Sequence, residues 1–195
     1  MADKGISSLP PLDVDPLFSR ELTRYRAKLV GKRTGYKDMV HAVLAKLGIA
    51  AVCSDLFGRG GTQWLDGLSL PQPYAGKVAS LRMLIDVCTG EIGMLDEVIA
   101  DLLAGNTGYT VIQQLSGIGP VPAAVTIAEI GDVTRFGRPA QLCSWAGLTP
   151  RHRESDLRVA RGHITKQGSP ILRWAMIEAV QHARRTTSMQ VRPCA

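Results

Sequence analysis

Hydrophobic positions recur every three or four residues through the first half of the chain, a spacing typical of amphipathic helices. One series begins at Leu17 and continues past Gly31 and Gly35 to Gly48. A second series fills residues 74–104 at near-heptad spacing. Together they predict a long antiparallel helical pair, coiled-coil-like in character, that buries the second stripe. Packing of that stripe against another protomer is the alternative.

Basic residues form a separate line along the first of these helices. Arg20, Arg24 and Lys28 are spaced by four, so they share one helix face. Such a line could follow a nucleic-acid backbone, but the spacing alone favours a solvated helix face.

The pattern changes after residue 105, where the helical series become shorter and turns more frequent. The sequence therefore predicts a mainly α protein in four parts. These are a loose lead-in at residues 1–13, a long helical region at 14–105, a compact helical domain at 106–187, and a tail at 188–195.

Positive charge is concentrated at the C-terminal end. Residues 138–195 contain ten Lys and Arg against three Asp and Glu, whereas residues 1–137 are nearly balanced, with 13 against 14. A localised positive field favours a polyanionic partner, with nucleic acid as the first candidate. A solvated basic tail is the alternative.

The segment VIQQLSGIGPVPAA at residues 111–124 predicts a tight turn between two helices. Gly117 and Gly119 permit the turn, and Pro120 suits the first position of the following helix. The pattern resembles the hairpin of helix-hairpin-helix DNA-binding motifs, in which backbone N–H groups and a helix N-terminus bind phosphate. An ordinary corner between helices is the alternative.

A second basic segment, RHRESDLRVARGHITKQG, occupies residues 151–168 and contains Ser155 among four arginines and a lysine. It predicts an irregular or hairpin-like loop between two helices. The second of these helices is expected to begin near Pro170, with Ser169 as its N-cap.

Several classes of protein are disfavoured by composition. No apolar run approaches the roughly 20 residues that cross a bilayer, and residues 1–13 lack a hydrophobic signal core, so we expect a cytoplasmic protein with no membrane partner. The four cysteines are far apart, and their spacing does not support a zinc site.

The order of motifs resembles one family of bacterial insertion-sequence transposases. The motifs are LSGIGPVPAAVTIAEIGDVTRF, LCSWAGLTP, ES and RGHITKQGSPILRW. They are similar to the C-terminal domain of the IS110 (IS116, IS902) group, relatives of pilin-gene invertases, and the likeness extends over residues 14–187.

This resemblance implies a serine nucleophile shortly after the Gly-Leu-Thr-Pro turn, and Ser155 lies at the matching position. Asp156 stands where the family usually has glycine, which adds a negative charge beside that serine. The expected DNA-binding residues are two turn glycines and six cations: Gly117, Gly119, Arg151, Arg153, Arg158, Arg161, Lys166 and Arg173.

The family's N-terminal RNase-H-like domain, with its metal-binding acidic residues, has no counterpart in this sequence. We therefore expect a truncated transposase that is inactive in isolation, without a cofactor of its own. Magnesium is expected only with the missing acidic domain. The resemblance implies DNA as partner, a guide RNA as a further candidate, and a homo-oligomer in the full-length family. The alternative function is a non-catalytic remnant that binds DNA or a guide RNA.

Overall fold

The computed structural model describes residues 16–155 and 158–183, and side-chain surroundings for residues 17–151 and 162–183. This part of the chain contains seven α-helices, a short 3₁₀ turn at Val133–Arg135 and one two-stranded sheet. The elements are α1 (Pro16–Lys46), α2 (Arg59–Asp66), α3 (Tyr74–Leu103), α4 (Thr107–Ile112), α5 (Pro120–Ile130), α6 (Pro139–Trp145), β1 (Pro150–Ser155), β2 (Arg158–Ile164) and α7 (Pro170–His182). The prediction of a mainly α protein is confirmed.

The chain divides into two compact units. The paired-helix unit comprises residues 25–97, and the hairpin unit comprises the residues up to 24 together with those from 98 onward. None of the described helices combines the length and the apolar content that crossing a membrane requires.

Within the paired-helix unit, α1 and α3 run antiparallel, as the hydrophobic spacing predicts. Near the start of this part of α1, Arg26 forms an ion pair with Asp96, which lies late in α3. Further along α1, Val40 and Leu44 pack in one buried cluster with Leu81, which lies early in α3. Apolar burial of this kind, and not helix propensity, is the usual source of stability for long helices.

The hairpin unit is organised around α5, a helix of small apolar residues. Ala123, Ala124 and Ala128 are buried almost completely, and the short side chains allow other helices to approach closely. Helices α4 and α7 pack against α5, with Ala175 and Ala179 buried on α7. Pro120 begins α5 as predicted, and Gly119 is its N-cap.

One charged residue lies within this apolar packing. Glu129 is only 3% exposed, and Arg24 binds its carboxylate with two hydrogen bonds of 2.7 and 3.0 Å. The hydroxyl of Ser169 also hydrogen-bonds to this carboxylate. The same hydroxyl accepts the N–H of Leu172 at 3.3 Å, so Ser169 is the N-cap of α7 as predicted.

The pKa of Glu129 reflects two opposing effects. Burial is the largest single effect and would raise the pKa, because an apolar surrounding disfavours the charged carboxylate. The hydrogen bonds from Arg24 and Ser169, with the charges of Arg24 and Arg20, outweigh burial and lower the pKa below its ordinary value. The folded state therefore holds Glu129 ionised.

The interpretation of Arg20, Arg24 and Lys28 as one line of cations along a nucleic acid does not match this packing. The Arg20 guanidinium donates to the carbonyls of Ala128 at 3.0 Å and Glu129 at 3.3 Å, near the end of α5. Cations are favourable there because the last carbonyls of a helix carry partial negative charge. Arg20 and Arg24 thus hold α1 to α5, and Lys28 is exposed.

We predict that Arg24→Ala lowers the free energy of unfolding by about 2 kcal/mol at neutral pH, because it leaves a buried carboxylate without its cation. Urea denaturation followed by circular dichroism measures this. Lys28→Ala is the matched control, since it removes an exposed cation from the same helix and should change stability by less than about 0.5 kcal/mol. Equal losses in the two variants would contradict the assigned role of Arg24.

The same ion pair predicts a dependence on pH. Because the folded pKa of Glu129 is lowered, its stabilisation is fully present above the ordinary value of 4.5 and is lost as the pH falls through the folded pKa. The difference between wild type and Arg24→Ala should therefore shrink on acidification below that value. A difference that stays constant on acidification would argue against an ionic interaction.

Candidate functional site

The basic segment that contains Ser155 forms an antiparallel β-hairpin. Strand β1 pairs with β2 in the register Ser155↔Arg158, Arg153↔Ala160 and His152↔Arg161. Ser155 and Arg158 form the pair at the far end of the two strands. Residues 156 and 157, and with them Asp156, lie outside the described part of the chain. The prediction of a hairpin-like segment between two helices is confirmed.

The register sorts the cations into two sets. Directly paired residues, and residues two apart on one strand, occupy the same face of a sheet. Ser155, Arg158 and Arg153 therefore occupy one face, whereas His152 and Arg161 occupy the other. The strand pairing thus places two of the predicted DNA-binding arginines on the face of the predicted nucleophile.

At its base the hairpin is anchored by two close backbone approaches. A Cβ at Gly147 would lie 2.0 Å from the carbonyl oxygen of Gln167, and a Cβ at Gly168 would lie 2.3 Å from that of Trp145. Both glycines also have positive φ, at 71° and 78°. Only glycine permits this combination, so the chain before β1 and the chain after β2 are held together as one junction.

Arg173 strengthens the same junction from α7. Its Nη1 donates to the carbonyls of Gln167 at 2.8 Å, Gly168 at 3.1 Å and Ala146 at 3.3 Å. These contacts assign Arg173 a structural role in holding α7 to the hairpin base. Its predicted contact with DNA stays a prediction.

The other two cations of the junction are exposed. Arg151 is the second residue of β1, and its Nη2 donates to the carbonyl of Thr165 at 3.4 Å. Lys166 follows β2 and has a φ of 58°, which is unusual for a residue with a side chain. Its backbone N–H donates to the carbonyl of Gly147 at 3.1 Å. Both side chains are therefore presented at the base of the hairpin.

The predicted glycine turn lies between α4 and α5, and its two glycines differ in their surroundings. Gly117 has a φ of 91°, and a Cβ there would lie 2.1 Å from the carbonyl oxygen of Ala179 on α7. Packing therefore requires this glycine. At Gly119 a Cβ would meet nothing within 4 Å.

The first turn of α5 offers few free N–H groups to an anion. Pro120 and Pro122 have none, and the N–H of Ala123 donates to the carbonyl of Gly119 at 3.0 Å. Val121 is left as the donor of this turn. The predicted phosphate-binding role of Gly117 and Gly119 stays a prediction, and it rests on fewer donors than the sequence pattern indicated.

Sequence reasoning missed a stacked cluster beside the hairpin base. The guanidinium of Arg135 lies 4.6 Å from the ring centroids of both Phe136 and Trp145, and the two rings are 5.5 Å apart. Arginine stacked on aromatic rings is a favourable arrangement. The sequence signal that could have indicated this cluster is the presence of Phe136 and Trp145 near Arg135, in a chain with only 5% aromatic residues.

The described side chains include no group of three or more His, Cys, Asp and Glu residues arranged to hold a metal ion.

Comparisons with known proteins show which family these features resemble. Residues 109–193 match the profile of the Transposase IS116/IS110/IS902 family. The matched region includes the glycine turn, the β-hairpin and α7.

Similar proteins come from several bacteria. The chain is 24% identical over 169 residues to a transposase for insertion sequence element IS1111A of Coxiella burnetii, covering 82% of this chain and 45% of that protein. It is 27% identical over 161 residues to an uncharacterized 43.6 kDa protein of insertion element IS110 in Streptomyces coelicolor, covering 80% and 38%. A 44.8 kDa protein of insertion element IS116 in Streptomyces clavuligerus is 33% identical over 73 residues, covering 37% and 18%.

The chain spans less than half the length of these relatives. The family match over residues 109–193 and the longer alignments agree with one another. Through residues 109–193, this chain is similar to the IS116/IS110/IS902 family of transposases.

Proposed function

We propose that the hairpin unit binds DNA in DNA transposition and that Ser155 is the nucleophile that attacks a phosphodiester. The observation that carries this proposal is the strand register, which pairs Ser155 with Arg158 and puts Arg153 on the same face. The family match over residues 109–193 supports the reaction class, because one relative is a named transposase.

The proposed step is an exchange of one phosphate ester for another. The Ser155 oxygen forms a bond to phosphorus, the bond from phosphorus to a sugar oxygen breaks, and the chain end stays attached to the serine. The hydroxyl proton passes to a base, and the departing sugar oxygen gains a proton. The number of phosphate ester bonds is unchanged, so no external energy source is required.

The proposed role of the arginines is to offset the negative charge that develops on the phosphate during this step. A neutral hydroxyl is a weak nucleophile, and the phosphate gains negative charge on its oxygens as the bond forms. Guanidinium groups bind phosphate oxygens with paired, charge-assisted hydrogen bonds. Arg153 and Arg158 are the candidates for this role because they share the hairpin face of Ser155.

Arg151 and Lys166 extend the basic surface to the base of the hairpin, and in this proposal they bind neighbouring phosphates. Arg161 occupies the other face of the hairpin and in this proposal binds a phosphate there. Such contacts carry no sequence information, but they provide affinity and fix the position of the DNA. Magnesium has no part in the steps assigned to this chain. In the proposal that ion belongs to the acidic domain that the resemblance implies.

A second candidate function rests on the same basic hairpin, because its cations can bind phosphates without any chemical step. In this alternative the chain binds DNA or a guide RNA and does not cut. A homo-oligomer, which the resemblance implies for full-length members, is compatible with both functions. Formation of a covalent adduct distinguishes them.

For DNA binding, we predict that Arg158→Gln weakens affinity for duplex DNA and reduces the slope of log affinity against log salt by about 0.9, the effect of losing one phosphate contact. Fluorescence anisotropy with the full chain at several salt concentrations measures both quantities. Lys28→Gln is the control, since it removes one positive charge from the exposed part of α1. An affinity that does not change with salt, or equal slopes for the two variants, would contradict the phosphate contacts.

For catalysis, we predict that the chain alone binds DNA without forming a covalent product. Mixed with a full-length family member whose own serine is replaced, it should form a serine–DNA adduct, which denaturing electrophoresis of labelled DNA detects. Ser155→Ala should abolish the adduct and leave binding nearly unchanged, because one hydroxyl adds little to a surface of several cations. Ser80→Ala, at an exposed serine of α3, is the control.

An adduct that persists in Ser155→Ala would exclude this serine as the nucleophile. Binding without any adduct in the mixture would favour the non-cutting alternative.

A further inference from the structure

An open pocket of about 550 Å³ lies beside the hairpin base. Five residues line it, two from the end of α6, one from its first turn and two from the junction after β2: Ser144, Trp145, Gln141, Gln167 and Gly168. Its volume is within the range of about 300–1,000 Å³ that is usual for sites of small ligands. The pocket therefore has room for one planar group and its attachment.

The lining differs in character from the rest of this basic unit. None of the five residues carries a charge. The two arginines in contact with them are already engaged, Arg135 with the rings of Phe136 and Trp145 and Arg173 with backbone carbonyls. A phosphate group would require cations or a cluster of N–H donors, so it is a poor match for this pocket. An aromatic ring with amide and hydroxyl groups matches a nucleobase, which presents a flat face and a polar edge.

Trp145 is positioned to offer a stacking surface. Its ring is half-buried, and it is held by the guanidinium of Arg135 at 4.6 Å and by the tilted ring of Phe136 at 5.5 Å. The ring is therefore fixed before any ligand arrives, which lowers the entropy cost of binding. Stacking on an aromatic side chain is the common way in which proteins bind unpaired bases.

The two glutamines supply the polar groups for the edge of a base. The Oε1 of Gln141 accepts the backbone N–H of Arg138 at 3.2 Å, which fixes the amide and leaves its Nε2 group to act as donor. The backbone of Gln167 is fixed by the hydrogen bond of 2.8 Å from Arg173 to its carbonyl. An amide side chain can donate and accept at once, as hydrogen bonding to a base edge requires.

We propose that this pocket receives a single unpaired nucleobase while the basic hairpin holds the adjoining phosphates. The inference rests on the proposed function, because it assumes that the hairpin unit binds nucleic acid, and it deepens that proposal by naming the group that is recognised. Unpaired bases occur in distorted DNA and in the loops and bulges of RNA, and the chemistry of recognition is common to both.

The test compares hairpin oligonucleotides that differ at a single bulged position, which carries either a base or an abasic sugar. Each of the four bases is tried, in a DNA series and an RNA series, and affinity is measured with the full chain. We expect the wild type to prefer the bulged base over the abasic probe by roughly tenfold in at least one series, the usual effect of stacking one base. The series that shows the preference identifies the nucleic acid.

Variants of the pocket residues test whether the preference for the bulged base arises in this pocket. Trp145→Ala and Gln167→Ala should bring the ratio of the two affinities close to one, and Trp145→Phe should keep part of the preference because a ring remains. Trp174→Ala is the matched control, since this exposed tryptophan on α7 does not line the pocket. Circular dichroism checks that each variant is folded, and Gln167→Ala, at an exposed residue, keeps the test decisive should Trp145→Ala fail to fold.

The failures of the two proposals are distinguishable. A ratio near one for the wild type in both series, with salt-dependent binding intact, overturns the base pocket and leaves the proposed function standing. A preference that survives in Trp145→Ala and Gln167→Ala also overturns it. A wild-type chain that binds none of the probes contradicts both proposals.

Discussion

The hairpin unit depends on one buried carboxylate. Glu129 lies in a helix of alanines and other small apolar residues, where an unpaired charge would cost several kcal/mol, on the order of the stability of a whole domain. Arg24 and Ser169 are therefore required partners, and they come from two other elements. The ion pair thus holds the start of α1 to α5, and the hydrogen bond from Ser169 links the N-terminus of α7 to the same carboxylate.

This constraint extends to the hairpin through α7. Ser169 caps α7 and directly follows Gly168, one of the two glycines at the hairpin base. One turn further along the helix, Arg173 binds the carbonyls at both sides of that base. A shift of α7 would therefore separate Arg173 from the carbonyls that it holds, and the strands that carry Ser155 would lose their support. Catalytic groups need such support, because small errors in position lower rates strongly.

Local patterns in the sequence predicted the elements of the fold well. The spacing of apolar residues in α1 and α3 reports burial along one face, so the long helical pair followed directly from it. Proline and the N-cap serine mark helix starts through contacts within one turn, and both α5 and α7 begin where those signals lie. The hairpin was predicted only loosely, because a dense run of charges hides the alternation typical of strands.

Contacts between distant parts of the chain were not predictable in this way. The spacing of Arg20 and Arg24 shows that they share a helix face, but it does not show that the end of α5, more than a hundred residues later, packs there. In the same way, nothing in the sequence around Gly117 reveals the close approach of the α7 backbone that requires glycine there. Arg173 is a further example, since a cation near a basic segment cannot be distinguished by sequence from one that binds three carbonyls. The sequence therefore identified which cations are candidates for binding nucleic acid. Only the packing distinguishes the cations that bind other parts of the protein from those that remain exposed.

The candidate site has two parts, the basic hairpin and the pocket at Trp145, and the proposals give each part a different kind of recognition. In the proposed complex, cations of the hairpin bind phosphates, which are identical along every nucleic acid, and such contacts give affinity without selectivity. The pocket at Trp145 is lined by uncharged residues, and in the proposal it distinguishes a base from an empty position and one base edge from another. Both parts adjoin the junction built by Gly147, Gly168 and Arg173, so a base held in the pocket would limit which phosphates the hairpin can reach. Through this coupling, a reaction at Ser155 would depend on the structure of the nucleic acid and not on its charge alone.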